Sequence, residues 1–492
     1  MKAMRRRAPE FLVLAMDIGS SSTRSALFDE KGRALIETAA NREYAVRYST
    51  DGAAELPPAL LLRASRFCLQ QTLQVRHLSS SLRKIPIVAV GASAFWHSLL
   101  GLDAKGRPLT PVFTWADSRC TADAARLREE FNEKEIHAQT GCMLRASFWP
   151  AKLRWLRRTD PRLFQRVVRW VSPADWIFEE LFGASGSSHS MASATGLYNL
   201  LTKRWHAPLC KACRIEIDQL GHLTETAGAD RSTFRELWEA KIFTAIGDGA
   251  AGNLGCGADA EGRVAINIGT SAAVRVLQRK EGNSIPFGLF RYAVDHERTV
   301  LGGAVSNAGN LRRGCLHELR LEEIESKLER ALSRTAAADD AITVLPFWVS
   351  ERAPTWPENL AGAIVGLTQA SGAAQILRAT TCAVFYRLGE ILDLIEKATG
   401  PGKEIIVSGG VLHSAASVRL LADALGRNLC ISSQAEASLR GAAVYVLEKL
   451  GHKPTPLRKA RVVRHDRALA QKHRIRRERQ LTLEKMLSGS SF

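Results

Sequence analysis

The chain has 492 residues, of which 46% are hydrophobic and 24% charged, and carries a formal net charge of +18. That length exceeds a single core and predicts two domains, while the composition is that of an ordinary soluble globular protein. No apolar run approaches the roughly 18 residues of a membrane helix, and the six apolar residues Phe11–Met16 are cut by Asp17 with no cleavage site after them, so they are expected to be the first core strand rather than a leader peptide.

Charge and cysteines exclude further classes. Residues 451–492 hold 12 Lys/Arg and 3 Asp/Glu, half of the net excess, so the basicity is not a property of the whole fold. No interleaving of aromatic and basic residues marks a single-strand nucleic-acid binder. The nine cysteines are scattered. Cys210 and Cys213 form a lone C-x-x-C without the second pair that zinc requires. Reduced thiols in a cytoplasm are expected, with Cys142 and Cys256 serving packing.

In chain order, strands are expected at Phe11–Ile18, Thr23–Phe28 and Arg33–Thr38. A helix follows from Pro58 to about Val75, then a buried strand Ile85–Val90 ending at Gly91-Ala92-Ser93. Residues 121–182 read mostly as helices, and the Gly/Ser/Ala-rich stretch Gly183–Gly196 as a surface loop. Strand Ile242–Ile246 leads into Gly247-Asp248-Gly249. Beyond a second hairpin come helices at about Glu322–Leu332 and Ala373–Ala398, strand Glu404–Ser408, and helices Ala415–Leu425 and Ser438–Leu450. Past Pro456 the chain is basic with weak apolar periodicity, which predicts a solvated helix dispensable for catalysis. This alternation suits an α/β layered architecture.

One segment recurs. Residues Ala15–Leu27 align with Ala265–Leu277, with five of thirteen positions identical. Each copy reads as strand, Gly-Ser/Thr turn and strand. Small hydroxyl residues beside glycine admit a phosphate close to backbone N–H groups. The first copy carries Asp17, suited to Mg²⁺; the second has neutral Asn267. Two such hairpins predict a two-lobed phosphotransferase gripping a polyphosphate from both sides.

With these motifs in this order, the chain resembles carbohydrate kinases of the FGGY family, in the fold group of actin, hexokinase and the 70-kDa chaperones. The likeness spans about residues 11–450. Within the family it is most similar to gluconate kinases, through Phe95–Asp103, Pro108–Arg119, Thr140–Cys142, Trp149–Leu153 and Glu351–Pro354. The resemblance implies two ribonuclease H-like domains of the actin/hexokinase type with a nucleotide cleft between them. The expected boundaries are residues 9–250, 251–450 and a basic tail 451–492.

It also implies roles. Asp248, in a Gly-Asp-x-x-Ala context, is the expected general base, although Gly-Asp-Gly alone also makes a tight turn. Asp17 is expected to hold Mg²⁺ through waters. Gly19, Ser20, Ser21, Gly269 and Thr270 are expected at the ATP phosphates, with Arg24 either adding charge there or serving as a strand-face arginine. Gly303 and Asn307, and Gly409, Gly410 and Ser414, match the family's further nucleotide elements. Glu436 with Gly441-Ala442-Ala443 resembles its closing helix.

The expected acceptor residues are Trp96, His97, Asp117, Arg119 and Lys152. The bland alternatives are a core Trp-His pair, an Asp117–Arg119 ion pair and a Lys152 stem packed on Trp155. The implied activity is ATP- and Mg²⁺-dependent phosphorylation of a sugar acid, D-gluconate first. A xylulose-like acceptor and a non-catalytic sensor are the alternatives. Gly249 after the base fits the gluconate type, whereas 357–362 lacks an arginine common before its glycine. The expected partners are a small-molecule sugar acid or sugar and a second copy of the chain. Neither membrane nor nucleic acid is expected.

Overall fold

The computed structural model describes residues 8–227, 232–279, 284–321, 329, 332, 341–357, 360–457 and 461–488. It divides into two compact units. The first comprises 1–255, 291–300 and 436–456; the second comprises 256–290, 301–435 and 457–492. The chain then re-enters the first unit twice, and the 451–492 segment is split between the two. Its part beyond Pro456 belongs to the second unit.

The first unit is built on a seven-stranded sheet. Strand Leu12–Ile18 lies between antiparallel Ser22–Asp29 and parallel Ile87–Ala94, and Ala34–Glu43 extends the antiparallel side. All seven residues of Leu12–Ile18 are buried, as expected for a strand covered on both faces. Helix Pro58–Leu78 packs on the antiparallel side, and helix Ala437–Lys449 covers Leu12–Ile18 and Ile87–Ala94. Small residues allow that second contact: Ala15, Ala26, Ala442 and Ala443 share one cluster with Phe28 and Leu439. A second apolar cluster, including Leu99, Trp149 and Trp170, organises the helical region after residue 120.

The second unit repeats the pattern. Strand Arg263–Ile268 lies between antiparallel Ala272–Gln278 and parallel Glu404–Ser408, with Leu429–Ile431 beyond. Its core is centred on the long helix Ala373–Thr399, packed on helix Ala415–Leu425. The latter is N-capped by Ser414, whose hydroxyl accepts the Ser417 N–H, and closed by Gly426 in the left-handed region. Of the helix expected at Glu322–Leu332, only Glu329 and Leu332 are among the described residues.

Two expectations are corrected. The stretch 183–196 is not an exposed loop: Ser188–Thr195 is buried and contains a short helix, His189–Ser193, N-capped by Ser188. Alanine and serine at these positions pack closely without producing the apolar periodicity that marks a core element. The tail is not a solvated appendage either. Strand Arg461–Val463 pairs with Leu429–Ile431, and helix Arg467–Ser488 buries His473, Gln480 and Glu484. The Tyr386 hydroxyl and His473 Nδ1 lie 2.7 Å apart, Gln480 donates to the Ala383 carbonyl, and Arg387 donates to Glu484 at 2.7 Å. The buried face of this helix is polar, so hydropathy could not reveal it.

All nine cysteines are outside disulfides and eight are buried. No helix among the described residues is long and apolar enough to cross a membrane.

Candidate active site

In the first unit, Asp17 stands near the end of the central strand, opposite Arg24 on one neighbour and Ser93 on the other. It is 9% exposed. Burial pushes its carboxyl up to about 6, the Ser93 hydroxyl and the Arg24 guanidinium oppose that shift, and the charges of Asp248 and Glu436 add to it. The four charged groups, Asp17, Arg24, Asp248 and Glu436, therefore form one electrostatic cluster. Arg24 Nη1 lies 2.5 Å from Glu436 and 3.8 Å from Asp17, so it is held by carboxylates at the hairpin and is not a bare strand-face arginine. The turn between the strands is closed by Gly19 N–H donating to the Ser22 carbonyl. Tyr44 braces it, donating its hydroxyl to the Gly19 carbonyl at 2.6 Å, and Ser20 and Ser21 remain at the surface side.

Asp248 begins helix Asp248–Cys256 and accepts the Gly249 N–H at 2.8 Å. Its strand is held from behind: Gly247 N–H donates to Ser190 Oγ at 3.0 Å, and Ser188 Oγ donates to the Ala245 carbonyl. Helix Asp248–Cys256 crosses helix Ala437–Lys449 at backbone contact. A methyl on Gly255 would lie 1.7 Å from the Ala437 carbonyl oxygen, and one on Gly441 1.7 Å from that of Ala251. Glycine is therefore required at both positions.

Two carboxylates, Asp17 and Asp248, with a hydroxyl nearby suit Mg²⁺, which takes one or two carboxylates and keeps much of its water. A cation would also relieve the burial that raises Asp17. No cluster of three or more His, Cys, Asp or Glu is found among the described residues.

The acceptor residues divide. His97 is half-buried with φ of 66°, an uncommon conformation for a non-glycine residue, and its Nδ1 is 2.6 Å from the Ala194 carbonyl oxygen. That hydrogen bond requires the proton on Nδ1, which makes Nε2 the acceptor nitrogen. Trp96 is 4% exposed and lies beneath the Gly247 backbone, its indole N–H donating to the Ser190 carbonyl. Asp117 and Arg119 bind each other through contacts of 2.6 and 3.1 Å; Glu55 completes the pair, and Trp155 lies under the guanidinium at 4.4 Å. Lys152 is 1% exposed and donates to the carbonyls of Ala146 and Ser147. Burial lowers its pKa. Arg119 and Lys152 are thus tied to internal partners.

In the second unit, the Gly269 turn is closed by Gly269 N–H donating to the Ser271 carbonyl. The start of helix Gly309–Glu318 docks on it: Gly309 N–H donates to the Gly269 carbonyl and Asn310 N–H to that of Thr270. A cavity of about 790 Å³ opens beside this turn, lined by Gly269, Thr270, Gly410 and Ser414 together with Arg312 and Arg313. Gly409 adopts φ of 92° against the Ile268 backbone. Gly303 and Asn307 do not line the cavity. A methyl on Gly303 would meet Ile391, Leu289 and Ala353, and Asn307 is spent on Val349 and Glu351. The glycine-plus-four spacing recurs six residues later in Gly309 and Arg313, which do line it. Glu329 is a further lining residue, accepting from Ser414 Oγ and from the Ala416 N–H.

Comparisons with known proteins follow this division. The sequence profile of the FGGY family of carbohydrate kinases, N-terminal domain, matches residues 12–255, and that of its C-terminal domain matches 264–447. The gluconokinase of Bacillus subtilis (strain 168) is 27% identical over 457 residues, covering 89% of this chain and 88% of that protein. Among solved structures, gluconate kinase from Lactobacillus acidophilus superposes with a TM-score of 0.88 at 23% identity, over 97% of this chain and 99% of that one. A ligand-bound xylulose kinase from the same organism gives 0.88 at 22% identity over the same shares.

Proposed function

Since the chain belongs to the FGGY family of carbohydrate kinases, we propose that it transfers the γ-phosphoryl group of ATP to a hydroxyl of D-gluconate, giving 6-phosphogluconate. It has the family's two-domain α/β fold of the actin and hexokinase type. The observation that carries the reading is the coupling of Asp17 and Asp248 in one cluster beside Arg24.

Phosphoryl transfer asks a protein mainly for positioning and charge stabilisation. Asp248 accepts the proton of the acceptor hydroxyl as its oxygen attacks the γ-phosphorus, and ADP leaves. His97 Nε2 accepts from a second acceptor hydroxyl and fixes the sugar. Arg24 meets the donor's phosphates with the guanidinium edge that Glu436 does not occupy. Asp17 holds Mg²⁺, which when bound neutralises phosphate charge. The second unit's cavity takes the nucleoside, with Thr270 and the N-terminus of helix Gly309–Glu318 at the phosphates. Nine cysteines without a disulfide fit a reducing cytoplasm.

A neutral, xylulose-like acceptor is the second reading. It is favoured because Arg119, Lys152 and Arg145, the cations available for a sugar-acid carboxylate, are engaged with internal partners. ADP release with Mg²⁺-ATP across a panel of sugar acids, ketopentoses and polyols decides between them. D-Gluconate should show the highest kcat/KM; a higher value for D-xylulose moves the assignment to the second reading, and no turnover on any sugar removes the kinase reading.

A further inference from the structure

Residues 291–300 run from edge strand Phe290–Ala293 into strand Thr299–Val305 of the second sheet, yet they group with the first unit. The excursion is pinned on both sides of Tyr292. Arg291 N–H donates to the Gly141 carbonyl at 3.1 Å, and Ala293 N–H to Ser193 Oγ at 2.8 Å. Farther along, Arg298 bonds both Asp295 and Glu448. Tyr292 itself is buried, at 2% exposed. Its ring meets Trp96 edge-on, with centroids 4.9 Å apart at 69°, and His97 with centroids 5.4 Å apart.

Trp96 in turn carries the backbone just before the base. A methyl on Gly247 would fall 1.7 Å from Cε2 of the indole, so the peptide rests directly on the ring with no side chain between them. Ser190 closes the triangle: its carbonyl accepts the Trp96 N–H and its hydroxyl accepts the Gly247 N–H. Interiors packed this closely transmit small shifts. The plane of Trp96 therefore sets the height of Gly247, and Asp248 is the next residue.

We infer that Tyr292 is a positioning residue for Asp248, acting through Trp96 and Gly247. The inference rests on the reading of Asp248 as the base. It gives the excursion a role in catalysis: the later half of the chain supplies the brace that fixes the base of the earlier half.

The test measures kcat and both KM values for Tyr292→Leu, Tyr292→Phe, Gly247→Ala, the double variant Gly247→Ala/Trp96→Leu, and Asp248→Asn. Because sub-ångström misplacement of reacting groups is costly, Tyr292→Leu should lower kcat about tenfold or more with KM for ATP within about twofold. Tyr292→Phe, which keeps the ring edge, should retain kcat within about twofold. Gly247→Ala should lose kcat similarly, and Trp96→Leu, by removing the ring the new methyl strikes, should restore part of it. An unchanged kcat in Tyr292→Leu, a rise in KM for ATP matching its loss of kcat, or no restoration in the double variant overturns the inference. Full turnover by Asp248→Asn would instead overturn the assignment of the base, and the inference with it. An inactive Asp248→Asn beside a normal Tyr292→Leu overturns the inference alone.

Discussion

The two glycine-turn hairpins share a backbone plan and differ in charge. In each, a central strand has an antiparallel hairpin partner on one side and a parallel strand bearing a serine on the other: Ser93 opposite Asp17, and Ser408 opposite Asn267. Each turn glycine donates its N–H to a carbonyl of the same turn. The register differs by one residue. Asp17 faces Arg24 across the first hairpin, whereas Asn267 faces Ala273 across the second, because the second turn is one residue shorter. The ungapped repeat in the sequence had paired Arg24 with Val274. The first hairpin thus holds a buried acid and a cation, and the second an exposed amide donating to Ser408 at 3.0 Å. On the proposed function, a duplicated scaffold divides metal handling from neutral phosphate docking through two side chains and a turn one residue shorter.

Making the first hairpin resemble the second is the strongest way to break that division. At ordinary Mg²⁺ concentration, Asp17→Asn should lower kcat/KM about 100-fold or more, since charge stabilisation of the phosphates is worth several kcal/mol, and excess Mg²⁺ should restore part of it; ADP-release kinetics across a Mg²⁺ titration check this. The same change should stabilise the ligand-free protein. Burial raises the Asp17 carboxyl from 3.8 to about 6, so the native state binds that proton more tightly than the unfolded chain. Its ionisation therefore costs stability as pH rises from about 4 to 6. Asp17→Asn should recover on the order of 2–3 kcal/mol above pH 6 and nothing near pH 3, as read by denaturant unfolding at the two pH values. An equal gain at both would place the effect elsewhere.

The same shift sharpens the comparison in the active protein. A protonated Asp17 cannot take a cation, so apparent Mg²⁺ affinity should fall about tenfold per pH unit below about 6. Isothermal titration with Mg²⁺ between pH 5 and 7.5 checks this, and a flat profile would remove Asp17 from the metal site. The smallest effect is expected from the reverse swap. Asn267→Asp adds an exposed charge beside the phosphate turn and should raise KM for ATP about fivefold, on the order of 1 kcal/mol at surface dielectric. A loss as large as that of Asp17→Asn would mean the hairpins are not divided in this way.

What the sequence could show follows from which contacts leave a pattern. The central strands, both hairpins and the place of Asp248 at the end of a strand were legible because apolar runs punctuated by glycine turns are local signals. Gly303 and Asn307 were misplaced because a glycine-plus-four spacing occurs twice within eleven residues and only the fold shows which copy borders the cavity. Ser190 was missed in a run of small residues that resembles a loop. Tyr292 gave no signal, since its partners lie almost 200 positions earlier. Arg119 and Lys152 looked available for substrate because a buried cation satisfied by carbonyls or a nearby carboxylate resembles a free one in sequence.

The glycine crossing between helix Asp248–Cys256 and helix Ala437–Lys449 bears on how the protein is made. Chains fold as they are synthesised, N-terminal units first. Here the helix that begins with Asp248 rests on Ala437 and Gly441, residues translated after nearly all of the second unit. A nascent chain that has emerged only to residue 435 contains the Gly19 turn and Asp248 but lacks the backbone against which helix Asp248–Cys256 docks. Completion of the first unit is therefore deferred until residues 436–456 have emerged, so that a product truncated before them lacks part of the first unit's packing.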